Sequence, residues 1–150
     1  MFIRHPILSV VTLGYLALVG WVTLSPQSTL QQGSLLWRFA ELLDRVPGAE
    51  WFTFSRLEFI ANVVMFVPLG LFFVLLLGRS RWWLAIVLGV VMTLAIELAQ
   101  QFIAGRVSDP RDLLANSLGA TIGTILALIL TASKARRLRR QARLSTGAAV

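Results

Sequence analysis

The sequence contains no cysteine and a single histidine, His5. No disulfide framework, thiolate metal site or cysteine nucleophile can be built, and one histidine near the start of the chain disfavours zinc chemistry and Ser-His-Asp catalysis. Charge is scarce as well. Only 14% of residues are Asp, Glu, Lys or Arg, where roughly 25% is usual, and 57% are hydrophobic. That apolar content excludes a disordered chain. A soluble domain of 150 residues would need a polar skin that 14 Lys/Arg and 7 Asp/Glu do not supply. The bilayer is the solvent that suits such a chain.

The net charge of +7 could signal nucleic acid, so its position decides. Six basic residues fall between Lys134 and Arg143, directly after an apolar run. A juxtamembrane cluster of this kind is drawn to anionic headgroups and anchors a helix end on the cytoplasmic side. No nucleic-acid recognition fold can be assembled from the remainder. Four runs have the roughly 20 apolar residues needed to cross a membrane as helix: Ile7 to Leu24, Phe59 to Leu77, Leu84 to Ile103 and Leu113 to Ala132. They are too long for strands and do not alternate. The first follows Arg4 but lacks an Ala-x-Ala cleavage site, so it reads as an uncleaved helix stopped at Ser25-Pro26.

The expected fold is an all-α integral membrane bundle of four transmembrane helices, spanning residues 1–133, followed by a basic, disordered cytoplasmic tail over 134–150. Arg4, Arg79, Arg81 and the six tail cations fall on one side with no acids. Arg38, Arg45, Arg56, Arg106 and Arg111 fall on the other among six acids. The positive-inside rule then puts both termini in the cytoplasm. The first outer loop, Ser25 to Glu58, is long enough for structure of its own. Leu35, Leu36, Phe39, Leu42, Leu43 and Val46 recur at helical spacing opposite Arg38, Glu41, Asp44 and Arg45, which predicts a short interfacial helix. Trp51, Phe52, Phe54, Trp82 and Trp83 mark the two boundaries as aromatic belts.

Chemistry concentrates between Glu97 and Gly123. A carboxylate costs roughly 2.5–3.5 kcal/mol at the centre of a membrane helix, so Glu97 should face protein or water. Gln100 and Gln101 follow on its face and extend a polar stripe towards the outer surface. The stripe either joins helices by hydrogen bonds or lines an outward-open site. Asp109 suits an N-cap, Pro110 the first helical position, and Asp112 the third, where its carboxylate can accept backbone N–H groups. Asn116 lies one turn below Asp112 and needs polar partners, which Glu97 or Asn62 can supply. Ala115, Gly119, Gly123 and Ala127 form a small-residue stripe for close helix packing. Pro68 and Gly70 are expected to interrupt the second span and free carbonyls towards a cavity.

The pattern Glu97-x-x-Gln100, Arg106-x-x-Asp109-x-x-Asp112-x-x-x-Asn116-x-x-Gly119-x-x-x-Gly123 resembles the VanZ-like family of small bacterial membrane proteins. Leu24-Ser25-Pro26 and Asn62-x-x-x-Phe66-x-Pro68-x-Gly70 extend that resemblance over nearly the whole chain. One departure is notable: many relatives carry Asp-Lys and a nearby His at the start of the second helix, where this chain has Arg56, Glu58 and Asn62. The resemblance implies a setting of low-level resistance to lipoglycopeptides such as teicoplanin, without a settled biochemical activity. Two functions stay open. One is a binding module whose outward pocket accepts a lipid-linked envelope precursor, a lipoglycopeptide or another lipid-bearing ligand. The other is an intramembrane enzyme modifying a phospholipid or lipid-linked cell-wall intermediate, with Glu97 or Asp112 as general acid or base and Arg106 neutralising a phosphate. Binding is favoured, because no nucleophile with its activating base is recognisable. The candidate ligand-binding residues are Glu97, Gln100, Arg106, Asp109, Asp112, Asn116, Asn62, Arg56 and Glu58. No cofactor or metal is expected, and membrane lipids are the expected partners.

Overall fold

The computed structural model describes residues 6–25, 35–49, 51–103 and 109–147, with backbone alone beyond residue 132. Among these residues every element is a helix, and four helices are long and apolar enough to cross a membrane. It is a multi-pass membrane protein.

Helix α1 (Pro6–Leu24) opens on a proline, whose missing N–H costs nothing at the first helical position. It turns Ser9, Thr12, Val19 and Thr23 inwards. Thr12 and Thr23 donate to carbonyls of their own helix, at 2.7 Å to Leu8 and 2.8 Å to Val19, so these hydroxyls are satisfied without water. Helix α2 (Leu35–Asp44) is the short amphipathic segment in the first long loop. Phe39 and Leu42 stay exposed, while Arg45 and Glu41 pair at 2.8 Å across one helical turn. Exposed apolar groups beside a charged flank suit a helix lying on a bilayer surface.

Helix α3 (Phe54–Leu77) begins five residues before the expected Phe59. Arg56 and Glu58, read from sequence as loop residues, therefore lie in its first two turns. Apolarity ends where charge begins, but helical hydrogen bonding does not, and Leu57 N–H already donates to Thr53 at 3.0 Å. Nor do Pro68 and Gly70 interrupt it, for the helix runs continuously to Leu77. Proline removes one N–H from the ladder, a loss that packing on both sides offsets. Gly78, at φ 85°, and a single 3₁₀ turn over Arg79–Arg81 then reverse the chain into α4 (Trp82–Gln100). Residues 101–103 turn away instead of extending α4 to Ile103; Ile103 N–H closes the turn on Gln100 at 3.0 Å.

Helix α5 (Pro110–Gly147) carries the fourth span and continues through the basic segment. This corrects the expectation of disorder from residue 134, at least as far as Gly147. The segment contains no proline and, from Lys134 to Leu144, is built from Ala, Arg, Lys, Leu and Gln. These are strong helix formers, and they extend a helix already nucleated in the membrane.

The most extensive helix contact is between α3 and α5, which run parallel because α4 crosses back between them. Facing pairs keep a constant separation of 56 residues: Ser55 with Arg111, Val63 with Gly119, and Val67 with Gly123. A Cβ added at Gly119 would collide with the Val63 carbonyl oxygen, and one at Gly123 with that of Val67. From the other side, Gly70 lies equally close to the Ala120 carbonyl. Ala115 and Ala127 are buried along the same stripe. Small residues thus bring two backbones together, where dispersion and weak Cα–H···O contacts replace the hydrophobic drive absent in lipid. Val19, Phe66, Leu69, Ile96 and Ala120 form the core beside this contact. Tyr15 fixes α1 to α3 by donating to the Met65 carbonyl at 2.9 Å and meeting Phe72 edge to face at 5.7 Å. At the opposite end of the bundle Arg79 donates to Thr131 Oγ1 at 2.8 Å and to the Leu128 carbonyl, pinning the 3₁₀ turn to α5.

Candidate functional site

The polar side chains gather in the half of the bundle where α3 and α5 begin and α1 and α4 end. Asp109 precedes α5, and its Oδ1 accepts the Arg111 N–H at 2.9 Å, an N-cap bond that satisfies one orphan donor of the first turn. Asp112, in the same first turn, reaches across to a second helix. Its Oδ1 accepts from Asn62 Nδ2 at 2.8 Å, a charge-assisted bond that ties α3 to α5.

Deeper in the bundle, Asn116 is 2% exposed and donates from Nδ2 to Thr93 Oγ1 of α4 at 2.9 Å. Its partner is neither Glu97 nor Asn62, the two suggested by the sequence. Asn116 Oδ1 is buried and meets no hydrogen-bond donor among the described residues, as does Thr124 Oγ1. Glu97, 8% exposed, stands one turn beyond Thr93 on α4. Gln100 follows at 3% exposure and donates to the Thr23 carbonyl of α1 at 2.9 Å. Gln101, by contrast, lies past the end of α4 and is exposed. Glu97, Gln100 and Asn116 thus lie along the seams that join α4 to its neighbours. Arg106 lies outside the described residues. No group of three histidine, aspartate or glutamate side chains able to hold a metal occurs among the described residues.

A cavity of about 340 Å³ opens nearer the helix starts, lined by Trp51, Ser55, Arg56, Phe59, Ile60, Arg111 and Leu114. Arg111 Nη1 donates to Ser55 Oγ at 2.7 Å, which sets the guanidinium of α5 against the first turn of α3. Arg56 donates to the Trp51 carbonyl at 2.7 Å, and its guanidinium lies 4.6 Å from the centre of the Trp51 ring. The ring face attracts the cation and holds it at the rim. Trp51 itself meets Phe52 edge to face at 5.3 Å. Ile60 and Leu114 are 40% and 64% exposed, so the cavity is open sideways rather than enclosed.

Sequence reasoning named Arg56 but used Arg111 and Trp51 only for topology and anchoring, and it passed over Ser55 and Thr93. Thr93 carried a readable signal, lying four residues before Glu97 on the same helix face. Arg111 did as well, since it directly follows the Asp-Pro that starts α5.

Helices and cavity together define a small polytopic α-helical membrane protein with a cationic, apolar-walled recess at one end of the bundle. A family model described as VanZ/LLP1 matches residues 11–131, and the chain belongs to that family. The match covers the four spans and stops where the basic extension of α5 begins. No curated protein and no solved structure matches the chain.

Proposed function

We propose that this protein is a bacterial envelope component that binds a lipid-bearing ligand in an outward-facing recess between the starts of α3 and α5. The observation that carries the reading is the composition of the 340 Å³ cavity: two guanidiniums and an indole at its rim, with Phe59, Ile60 and Leu114 as an apolar wall. A headgroup needs the first, a chain needs the second, and the sideways opening lets a molecule enter from the bilayer. Small-ligand sites of this kind occupy about 300–1,000 Å³.

Orientation follows from charge. Nine basic residues and no acids accompany the end with Arg79 and the α5 extension, against five basics among six acids at the recess end. The positive-inside rule favours cytoplasmic termini and an external recess. Family membership supports a link with glycopeptide resistance, and teicoplanin, a lipoglycopeptide, carries the lipid chain such a recess would accept. Binding is favoured over catalysis because the hydroxyl in the lining, Ser55, accepts from Arg111 instead of facing a base that would activate it.

The test is retention by the purified full chain in detergent. Phosphatidylcholine, phosphatidylglycerol, teicoplanin and its core lacking the acyl chain are offered, and retained molecules are identified by native mass spectrometry. At least one lipid-bearing species should be held, the chain-less core should not, and Leu114→Glu should abolish retention without unfolding an exposed position. Failure of the parent to hold any lipid-bearing species would overturn the proposal.

A further inference from the structure

We infer that the recess selects an anionic phosphate headgroup, held between Arg56 and Arg111 with the lipid chain along Phe59, Ile60 and Leu114; this rests on the lipid-ligand reading above. Four observations converge on it. Both guanidiniums line one cavity, and their described bonds run to neutral groups, the Trp51 carbonyl and the Ser55 hydroxyl. A guanidinium carries five donors in a planar fork that matches two phosphate oxygens, so one spent bond leaves the fork usable.

Depth also fits. Trp51 and Phe52 place the rim at the level of an interfacial aromatic belt, where headgroup phosphates lie. Leu114 is three residues below Arg111, and Ile60 four below Arg56. The apolar wall therefore lies about 5 Å deeper, at about 1.5 Å of rise per residue, where chains begin.

Field direction points the same way. Helices α3 and α5 both start at this end, so their positive poles add to the two cations. The carboxylates nearest on these helices have partners of their own. Asp109 caps the Arg111 amide, Asp112 accepts from Asn62, and Glu58 is half-buried, two residues from Arg56 on a different face of α3.

Finally, the geometry is held in place. Arg111 is set by Ser55, Arg56 by Trp51, and the two helices by the Asn62–Asp112 bond between them. The site is preorganised, so little of the binding energy goes into ordering long side chains.

The experiment uses the full chain in detergent with equimolar phosphatidylglycerol and phosphatidylcholine, read by native mass spectrometry, and repeats it with excess inorganic phosphate. Phosphatidylglycerol should be retained about tenfold over phosphatidylcholine: both phosphates can accept from the guanidiniums, but only in phosphatidylcholine does a quaternary ammonium offset the phosphate charge and repel the two cations. Arg56→Gln and Arg111→Gln should each remove most of that preference while total lipid retention persists through the apolar wall. Arg111→Lys, which keeps the charge but loses the fork, should retain an intermediate preference. It also serves if Arg111→Gln fails to fold. Equal retention of the two lipids, unchanged by these variants, overturns the anionic assignment and leaves the lipid-ligand proposal standing. Displacement of phosphatidylglycerol by inorganic phosphate at comparable concentration overturns a lipid source in favour of a free anion. Retention of neither lipid overturns the anionic phospholipid assignment, and the lipid-ligand reading then stands or falls on retention of teicoplanin.

Discussion

Removing Asn116 and Thr93 singly and together isolates a hydrogen bond that joins α4 to α5 inside the bundle. The two residues are 2% and 0% exposed, and Nδ2 donates to Oγ1 at 2.9 Å. Bonds of this type between membrane helices average about 0.6 kcal/mol and reach about 1.7. The same asparagine buries Oδ1 without a donor among the described residues, and an unmet buried acceptor costs about 1–3 kcal/mol. The cost exceeds the gain, so Asn116 should weaken the fold by about 1 kcal/mol relative to an apolar side chain of similar shape. Reversible unfolding in mixed detergent of Asn116→Ala, Thr93→Ala and the double variant should give a coupling of about 0.5–1.5 kcal/mol. Asn116→Leu, with the same branching at Cγ, should be as stable as the parent or more so. A coupling of zero would show that the bond contributes nothing. A loss of more than about 2 kcal/mol for Asn116→Leu would show that Oδ1 is well partnered, which refutes the reasoning.

Gly123→Leu and Gly119→Leu should each cost more than about 1–3 kcal/mol, because the new side chain meets a backbone carbonyl of α3 that cannot rotate away. Gly14→Leu, where nothing lies within 4 Å, should leave unfolding unchanged; equal effects at all three positions would sink the packing argument. Asp109→Ala should cost about 0.5–2 kcal/mol and speed amide exchange at Arg111, with Asp109→Asn restoring most of the loss. A reporter fused after Val150 should be active only when it functions in the cytoplasm, and activity of an exported reporter there would invert the proposed orientation.

The spans were legible because bilayer thickness sets a length that no other environment demands, and Ile7 to Leu24 needed only one added residue at its start. Their polar ends were less so. Hydropathy stops at Glu58, yet Ser55 and Arg56 continue the helix, so the start of α3 and the first two of its four recess residues read as loop. Tail helicity was missed for a related reason: charge was read as solvation, although Arg and Lys are good helix formers once a helix precedes them. Partners across helices were beyond reach. Whether Asn116 meets Thr93 or Glu97 depends on how α4 is rotated and raised against α5, and that is set by side-chain volume far from either residue. The recess is hidden still more deeply, since its walls are 51–60 and 111–114, brought together only by the α3–α5 register.

That register makes tolerance to length change opposite in the two kinds of segment. The turn at 101–103 lies outside both α3 and α5, so a residue gained or lost there leaves Val63 facing Gly119 and Val67 facing Gly123. A single insertion between Arg111 and Gly119 would keep the glycine contacts but swing Arg111 by about 100° around the α5 axis, at 3.6 residues per turn. Ser55 would lose its partner and the recess one of its two cations, with little change in hydropathy or in the small-residue stripe. In related chains, then, the eight-residue spacing from Arg111 to Gly119, matched by Ser55 to Val63, is the quantity to inspect. A chain that keeps both glycines and breaks this count has kept the bundle and given up the headgroup site.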